Sequence, residues 1–234
     1  MNWERVWTAT NWERLLFGNL FSTGESGGLL LTLQIGLLAI VLATVIGAAI
    51  GLMRNATSRW LWLPAAAYVE GLRNVPLLIL VFWAYFVPPH FGLQTSKFAA
   101  VLVALTLFTS AYIAEVVRGG ILAVPRTVVD SARAIGLNWW QIQLRIVLPI
   151  AFFNMIPALA GRYVVAIKNT SLAFLIGLSD LTEIGRQISN HLMTAPVEVY
   201  ATLLLIYFVV NALLSRAMQQ LEDRRRFGRL FVRL

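Results

Sequence analysis

Leu29 to Met53 is a run of 25 residues without one charged side chain. Wound as a helix at about 1.5 Å per residue, such a run is long enough to cross a hydrocarbon core about 30 Å thick. Lipid offers no hydrogen bonds to a bare backbone, so a helix, which satisfies its own N–H and C=O groups, is the structure this run dictates. Gly47 and Gly51 inside it form a small-xxx-small pair. That pattern suits close approach by another helix, and chance glycines in a Gly-rich span fit it equally.

Four further runs have the same character. Leu61 to Val87 is interrupted by Glu70, Arg73 and Pro76. Phe98 to Val117 carries Glu115, Ile150 to Ile167 carries Arg162, and Val199 to Met218 is the last. Composition agrees: 59% of the 234 residues are hydrophobic and 13% charged, against roughly 25% charged in ordinary soluble domains. Mean hydropathy is +0.73. The expectation is an all-α polytopic membrane protein with five spans at about 29–53, 61–87, 98–117, 150–167 and 199–218. Pro76 and Pro157 each lack a backbone donor and should kink their helices. The net charge of +8 does not point to nucleic acid, because the arginines cluster beside apolar runs, where they anchor to anionic lipid. The absence of cysteine excludes disulfides and thiolate metal sites, and two histidines, His90 and His191, argue against a histidine metal site.

Lys and Arg in the connections set the orientation. Arg54 and Arg59, then Arg118, Arg126, Arg133 and Arg145, then Arg224, Arg225, Arg226, Arg229 and Arg233 put eleven on one side. Arg5, Arg14, Lys97, Lys168 and Arg186 put five on the other. The N-terminus is therefore expected outside and the C-terminus in the cytoplasm. Residues 1–28 form an outer N-terminal segment, 29–222 the transmembrane domain with a cytoplasmic loop at 118–149, and 223–234 a basic tail. The N-terminal segment lacks the basic start and cleavage site of a signal peptide. Its tryptophans Trp3, Trp7 and Trp12 suit an interfacial helix on the outer surface, with a loosely ordered terminus as the other reading. Ser171 to Leu181 is apolar but too short to cross, and is expected to dip or pack at the outer face.

The loop at 118–149 is polar and helix-compatible within a chain otherwise built for lipid. Val128 to Ala134 reads as a short helix stopped by Gly136, which accepts a positive φ. Asn138 reads as the N-cap of a second short helix, Trp139 to Val147, halted before Pro149. Trp139 and Trp140 suit anchors for a protein partner, or aromatic residues resting among headgroups.

The loop carries a resemblance. Permease subunits of ABC importers share Glu-Ala-Ala, three residues, Gly, nine residues, Ile-x-Leu-Pro. Here stand Asp130-Ser131-Ala132, Gly136, and Ile146-x-Leu148-Pro149, with every spacing kept and Asp for Glu, Ser for Ala. Tyr68-Val69-Glu70-Gly71-Leu72-Arg73-Asn74-Val75-Pro76-Leu77 is similar to the second-span signature of the polar amino acid branch. Ala111-Tyr112-Ile113-Ala114-Glu115-Val116-Val117-Arg118-Gly119-Gly120 resembles the end of its third span, and Lys168-Asn169-Thr170-Ser171-Leu172 an element after the fourth. The resemblance covers about residues 25–220.

It implies the ABC type I importer permease fold in a bacterial inner membrane, working as a homodimer or with a sister permease. An ATP-binding subunit would grip Asp130, Ser131, Ala132, Gly136, Asn138 and Trp139 as a coupling helix, and an extracytoplasmic solute-binding protein would deliver an amino acid. No catalytic residue is expected in this chain. Neither lysine closes the G-x-x-x-x-G-K-[ST] of a phosphate loop, so ATP and magnesium belong to the partner subunit.

Arg162 is the sharpest pointer to cargo. A cation at mid-span costs roughly 2.5–3.5 kcal/mol on insertion scales and marks a functional site by default. Where the family's basic amino acid permeases tend to carry an acid six residues before the Lys, this chain carries an arginine. The expectation is that Arg162 holds the side-chain carboxylate of glutamate or aspartate, with Lys168, Asn169, Thr170 and Ser171 around the amino-acid end. The competing reading pairs Arg162 with Glu115 or Glu70, or lets it snorkel. Within the span ends, Glu70 with Arg73 and Glu115 with Arg118 are spaced to pair at i, i+3. Alternatives at the level of function are glutamine, asparagine or broad-range amino acid cargo, an ion-coupled secondary carrier, and a membrane scaffold that only docks a cytoplasmic protein.

Overall fold

The computed structural model describes residues 2–20 and 24–230, with backbone alone for 221–230. Two short helices, α1 (Trp3–Val6) and α2 (Ala9–Phe17), lead into a two-stranded antiparallel ribbon, β1 (Gly18–Asn19) with β2 (Glu25–Ser26). Then come α3 (Gly28–Arg54), α4 (Arg59–Arg73), α5 (Leu77–Phe86), a 3-10 turn at Pro88–Phe91 and α6 (Lys97–Leu122). The loop region holds α7 (Arg126–Ala134) and α8 (Trp139–Ile142). A π-helical turn, Gln143–Val147, joins α8 to α9 (Leu148–Asn169), which runs on through a 3-10 segment, Thr170–Ile176. The chain ends on α10 (Leu181–Leu192) and α11 (Pro196–Leu230). Among the described residues four helices are long and apolar enough to cross a membrane, or five if α4 and α5 count as one broken span.

The kink expected at Pro76 is present as a full break of the second span between Arg73 and Leu77. Pro76 cannot donate and pushes Val75 away from the helical region, while the Asn74 side-chain amide donates to the Glu70 carbonyl at 2.8 Å and closes α4. One sequence expectation is corrected: the helix begun at Trp139 does not halt before Pro149. Leu148 keeps helical angles (φ −62°, ψ −44°), and the chain passes through the proline by way of the π turn, whose wider winding already gives up the ordinary helical bonds. The basic tail expected at 223–234 continues α11 to Leu230, and 231–234 lie outside the described residues.

Tertiary contacts divide the chain into two compact units. The first takes Met1–Val41, Val75–Thr106 and Val164–Ser215. Its core joins Val6 and Leu15 of α1 and α2 to Leu181, Ile184 and Ile188 of α10 and to Ala195, Val199 and Leu203 around the start of α11. The N-terminal segment is thus a folded cover, and the loosely ordered reading fails. Trp7 Nε1–H donates to the Thr202 hydroxyl at 3.1 Å, and Arg14 donates to the Gln187 side chain at 3.2 Å. Leu181 N–H donates to the buried Thr32 hydroxyl at 3.0 Å, and Asp180 caps α10 by accepting from Glu183 N–H at 2.9 Å.

The second unit takes Leu42–Asn74, Leu107–Tyr163 and Arg216–Leu234. Its core runs from Ala43, Ile113 and Val117 to Ala132, Ile142, Val147, Ala151 and Met155, so the loop helices rest on the spanning ones. Gly47 and Gly51 settle their question here. A Cβ on Gly47 would lie 2.7 Å from the Ser110 carbonyl oxygen, and one on Gly51 would lie 2.6 Å from Val117 Cβ. The pair is the contact face between α3 and α6, as small-xxx-small packing requires.

Candidate functional site

The loop builds one candidate surface from local chemistry. Amphipathic α7 buries Ala132 and leaves Asp130 and Arg133 outside, where they pair at 3.4 Å. At its end Gly136 takes φ +83°, which a residue with a Cβ adopts only with strain. Gly136 N–H donates to Arg133 C=O at 2.9 Å and Leu137 N–H to Ala132 C=O at 3.2 Å, the paired bonds of a Schellman end. One residue later Asn138 opens a capping box. Its side chain accepts from Gln141 N–H, and the Gln141 side chain accepts from Asn138 N–H, both at 2.9 Å. These two motifs back to back fix the angle between α7 and α8. Ile142 faces inward, while Trp139 and Trp140 stand exposed, their rings packed edge to face at 4.6 Å. Ile135, the residue before the terminating glycine, is also exposed and adds an apolar side chain to this surface.

Arg162, half-buried on α9, has no ion pair among the described residues. Its guanidinium lies over the Tyr112 ring at 4.6 Å, a cation–π contact. Neither Glu115 nor Glu70 is its partner. Glu115 is held instead by Arg54 at 2.8 Å and Arg118 at 3.0 Å, with Arg73 at 3.7 Å, and Arg54 also reaches Glu70 at 3.3 Å. The expected Glu115–Arg118 pair is present, and the Glu70–Arg73 pair is corrected. At the end of α4, Arg73 turns to Glu115 and over the Tyr112 ring at 5.4 Å, while α3 supplies Arg54 to Glu70.

The Lys168 group lies in the first unit. Lys168 and Ser171 line a cavity of about 560 Å³ together with Val164, Tyr207, Asn211 and Ser215. Thr170 does not: it is fully buried, and its hydroxyl donates to Ile167 C=O at 2.7 Å. The 3-10 turn that follows Asn169 directs that side chain inward, so the expectation of Thr170 as a substrate contact is corrected. Ser171 donates to Lys168 C=O at 2.8 Å, and Asn169 lies half-buried at the head of the same turn. Tyr207 and Asn211, a polar pair one turn apart in an apolar span, are cavity residues that the sequence reading passed over.

Near this cavity sits a buried carboxyl outside the spans. Burial pushes Asp180 up to about 7, against the backbone donors of Glu183 and Thr182, which lower it. Burial would also raise Glu183, but hydrogen bonds from Arg186, at 2.7 Å, and Gln187 hold it below the usual carboxylate range.

Residues 39–227 match the family described as binding-protein-dependent transport system inner membrane component. The chain belongs to this family. It is a permease of the ABC importer type, and its helices match that fold. The permease is 34% identical over 201 residues to the probable glutamine ABC transporter permease protein GlnP of Bacillus subtilis, covering 84% of this chain and 91% of that one. It is 31% identical over 223 residues to the glutamate transport system permease protein GluD of Corynebacterium glutamicum, covering 93% and 82%. Among solved structures it resembles an amino acid ABC transporter crystallised with histidines: TM-score 0.80, 31% identity, 84% of this chain and 92% of that one.

Proposed function

We propose that this permease forms the membrane path of an ATP-driven amino acid importer whose cargo is acidic, glutamate or aspartate. Arg162 carries the reading: a guanidinium on a spanning helix, held over the Tyr112 ring and, among the described residues, without a carboxylate of its own. A cation–π contact uses the charge and none of the acceptor-seeking N–H donors, which leaves the guanidinium fork available to a planar carboxylate. Lys168 and Ser171, on their own cavity, are proposed as further polar contacts for substrate, with Asn169 beside them.

The N-terminus lies outside and the C-terminus inside a bacterial inner membrane, following the bias of Lys and Arg. The exposed Trp139–Trp140 pair and the Asp130 face of the loop then meet a separate ATP-binding subunit, which binds ATP and magnesium. A second permease, like or unlike, completes the path, and a solute-binding protein delivers the cargo. Amide cargo is the second reading, favoured by the likeness to a permease named for glutamine.

The test is ATP-dependent uptake of labelled glutamate, with glutamine as competitor, by the reconstituted transporter. Arg162→Ala should abolish the preference for glutamate. Unchanged uptake and unchanged preference would sink the acidic reading.

A further inference from the structure

Tyr112 has two guanidiniums against its ring. Arg162 lies 4.6 Å from the centroid and Arg73 lies 5.4 Å from it, so the two cations are at most about 10 Å apart across one side chain. The ring is itself steadied by Phe108, at 5.0 Å.

Arg73 is the loosely held member of its charge cluster. Arg54 and Arg118 approach Glu115 at 2.8 and 3.0 Å, while Arg73 stands at 3.7 Å, beyond hydrogen-bond length, with about a third of its side chain exposed. Glu115 keeps two close arginines if Arg73 turns away. Counting Arg54, Arg73, Arg118 and Arg162 against Glu70 and Glu115, the group holds two positive charges in excess.

An acidic amino acid carries two carboxylates. We infer that Arg73 is a second carboxylate-binding residue, which takes the α-carboxylate of the substrate while Arg162, across the shared Tyr112 ring, takes the side-chain carboxylate. The inference rests on the reading of Arg162 given above. It adds a residue whose loss should weaken every α-amino acid alike, whereas loss of Arg162 should erase only the distinction between acid and amide.

Equilibrium binding to the assembled transporter, without its solute-binding protein, separates the two. The probes are labelled glutamate, with glutamine and 4-aminobutyrate (glutamate without its α-carboxylate) as competitors. Arg73→Gln should weaken glutamate and glutamine by about tenfold or more, the usual scale for a charge-assisted carboxylate contact, and leave 4-aminobutyrate unchanged. Arg162→Gln should weaken glutamate and 4-aminobutyrate but not glutamine.

If Arg73→Gln alters none of the three, or weakens 4-aminobutyrate as much as glutamate, the assignment of Arg73 is overturned while the acidic reading stands. If Arg162→Gln leaves the glutamate preference intact, the acidic reading and the pairing both fall, whatever Arg73 does. Should Arg73→Gln fail to assemble, Arg73→Lys keeps the charge beside Glu115 but not the planar fork. It should weaken glutamate several-fold and spare 4-aminobutyrate, and wild-type glutamate affinity there would overturn the proposal.

Discussion

A guanidinium nitrogen of Arg54 lies 2.8 Å from a carboxylate oxygen of Glu115, tying the end of α3 to α6. Only 11% of the Arg54 side chain is exposed, so its charge depends on Glu115 and Glu70. Removing one partner of a buried pair leaves the other charge uncompensated, at a cost of about 3–5 kcal/mol. Glu115→Gln should lower the thermal midpoint of the permease in detergent well below that of the wild type. Glu70→Gln, whose carboxylate is more than half exposed, should lower it by much less.

The α3–α6 contact makes a second prediction. Gly51→Ala places a methyl 2.6 Å from Val117 Cβ and 2.8 Å from the Ala114 carbonyl oxygen, neither of which can yield without moving a helix. Overpacking of this kind costs about 1–3 kcal/mol. Gly71→Ala meets nothing within 4 Å and should stabilise α4 by up to about 1 kcal/mol through helix propensity. Opposite shifts of the melting midpoint are the expected readout, and equal shifts would argue against the close approach.

Asp180 sets a pH dependence. Its folded value of about 7 lies above the unfolded value of about 3.9, so the folded state holds the proton more tightly. Its contribution is fully present below pH 4 and is lost as pH rises through 7, with a limit of about 4 kcal/mol at about 1.4 kcal/mol per unit. Glu183, held low, acts oppositely and only below about pH 4, outside that window. Asp180→Asn keeps the cap acceptor and removes the titration. The wild type should be less stable at pH 8 than at pH 5, and the variant should show little difference. A variant as pH-sensitive as the wild type would assign the effect elsewhere.

The exposed Trp139–Trp140 pair should dominate docking of the ATP-binding subunit, since aromatic anchors often cost 2 kcal/mol or more when truncated. Trp139→Ala with Trp140→Ala should reduce co-purification of that subunit severely. Asn138→Ala, which costs about 1 kcal/mol of cap, should reduce it mildly.

The parts legible in the sequence are those decided by neighbouring residues. Gly136 and Asn138-x-x-Gln141 carry their turn and cap within six positions, and the structure shows both. Helices long enough to span follow from chargeless runs in the same way. What stayed open depended on a second helix. Whether Gly47 and Gly51 were a seam required knowing that Ser110 and Val117 lie opposite. The Glu70 pairing failed because i, i+3 spacing permits a bond that Arg54, from α3, makes instead. Thr170 was misplaced because sequence gives a hydroxyl but not its direction, and the 3-10 turn aims it at Ile167.

The π turn at Gln143–Val147 bears on Arg162 from a distance. Such a turn spends more residues per revolution than an α-helix, and each residue carries the helical phase forward by about 100°. Every side chain of α9 therefore faces where it does because of the extra length stored just after the Trp pair. Excising one residue there would leave both Arg162 and the loop motifs intact in composition, yet rotate Arg162 off the Tyr112 ring. In this permease, the bearing of Arg162 on the Tyr112 ring is a matter of chain length in a segment fifteen residues away.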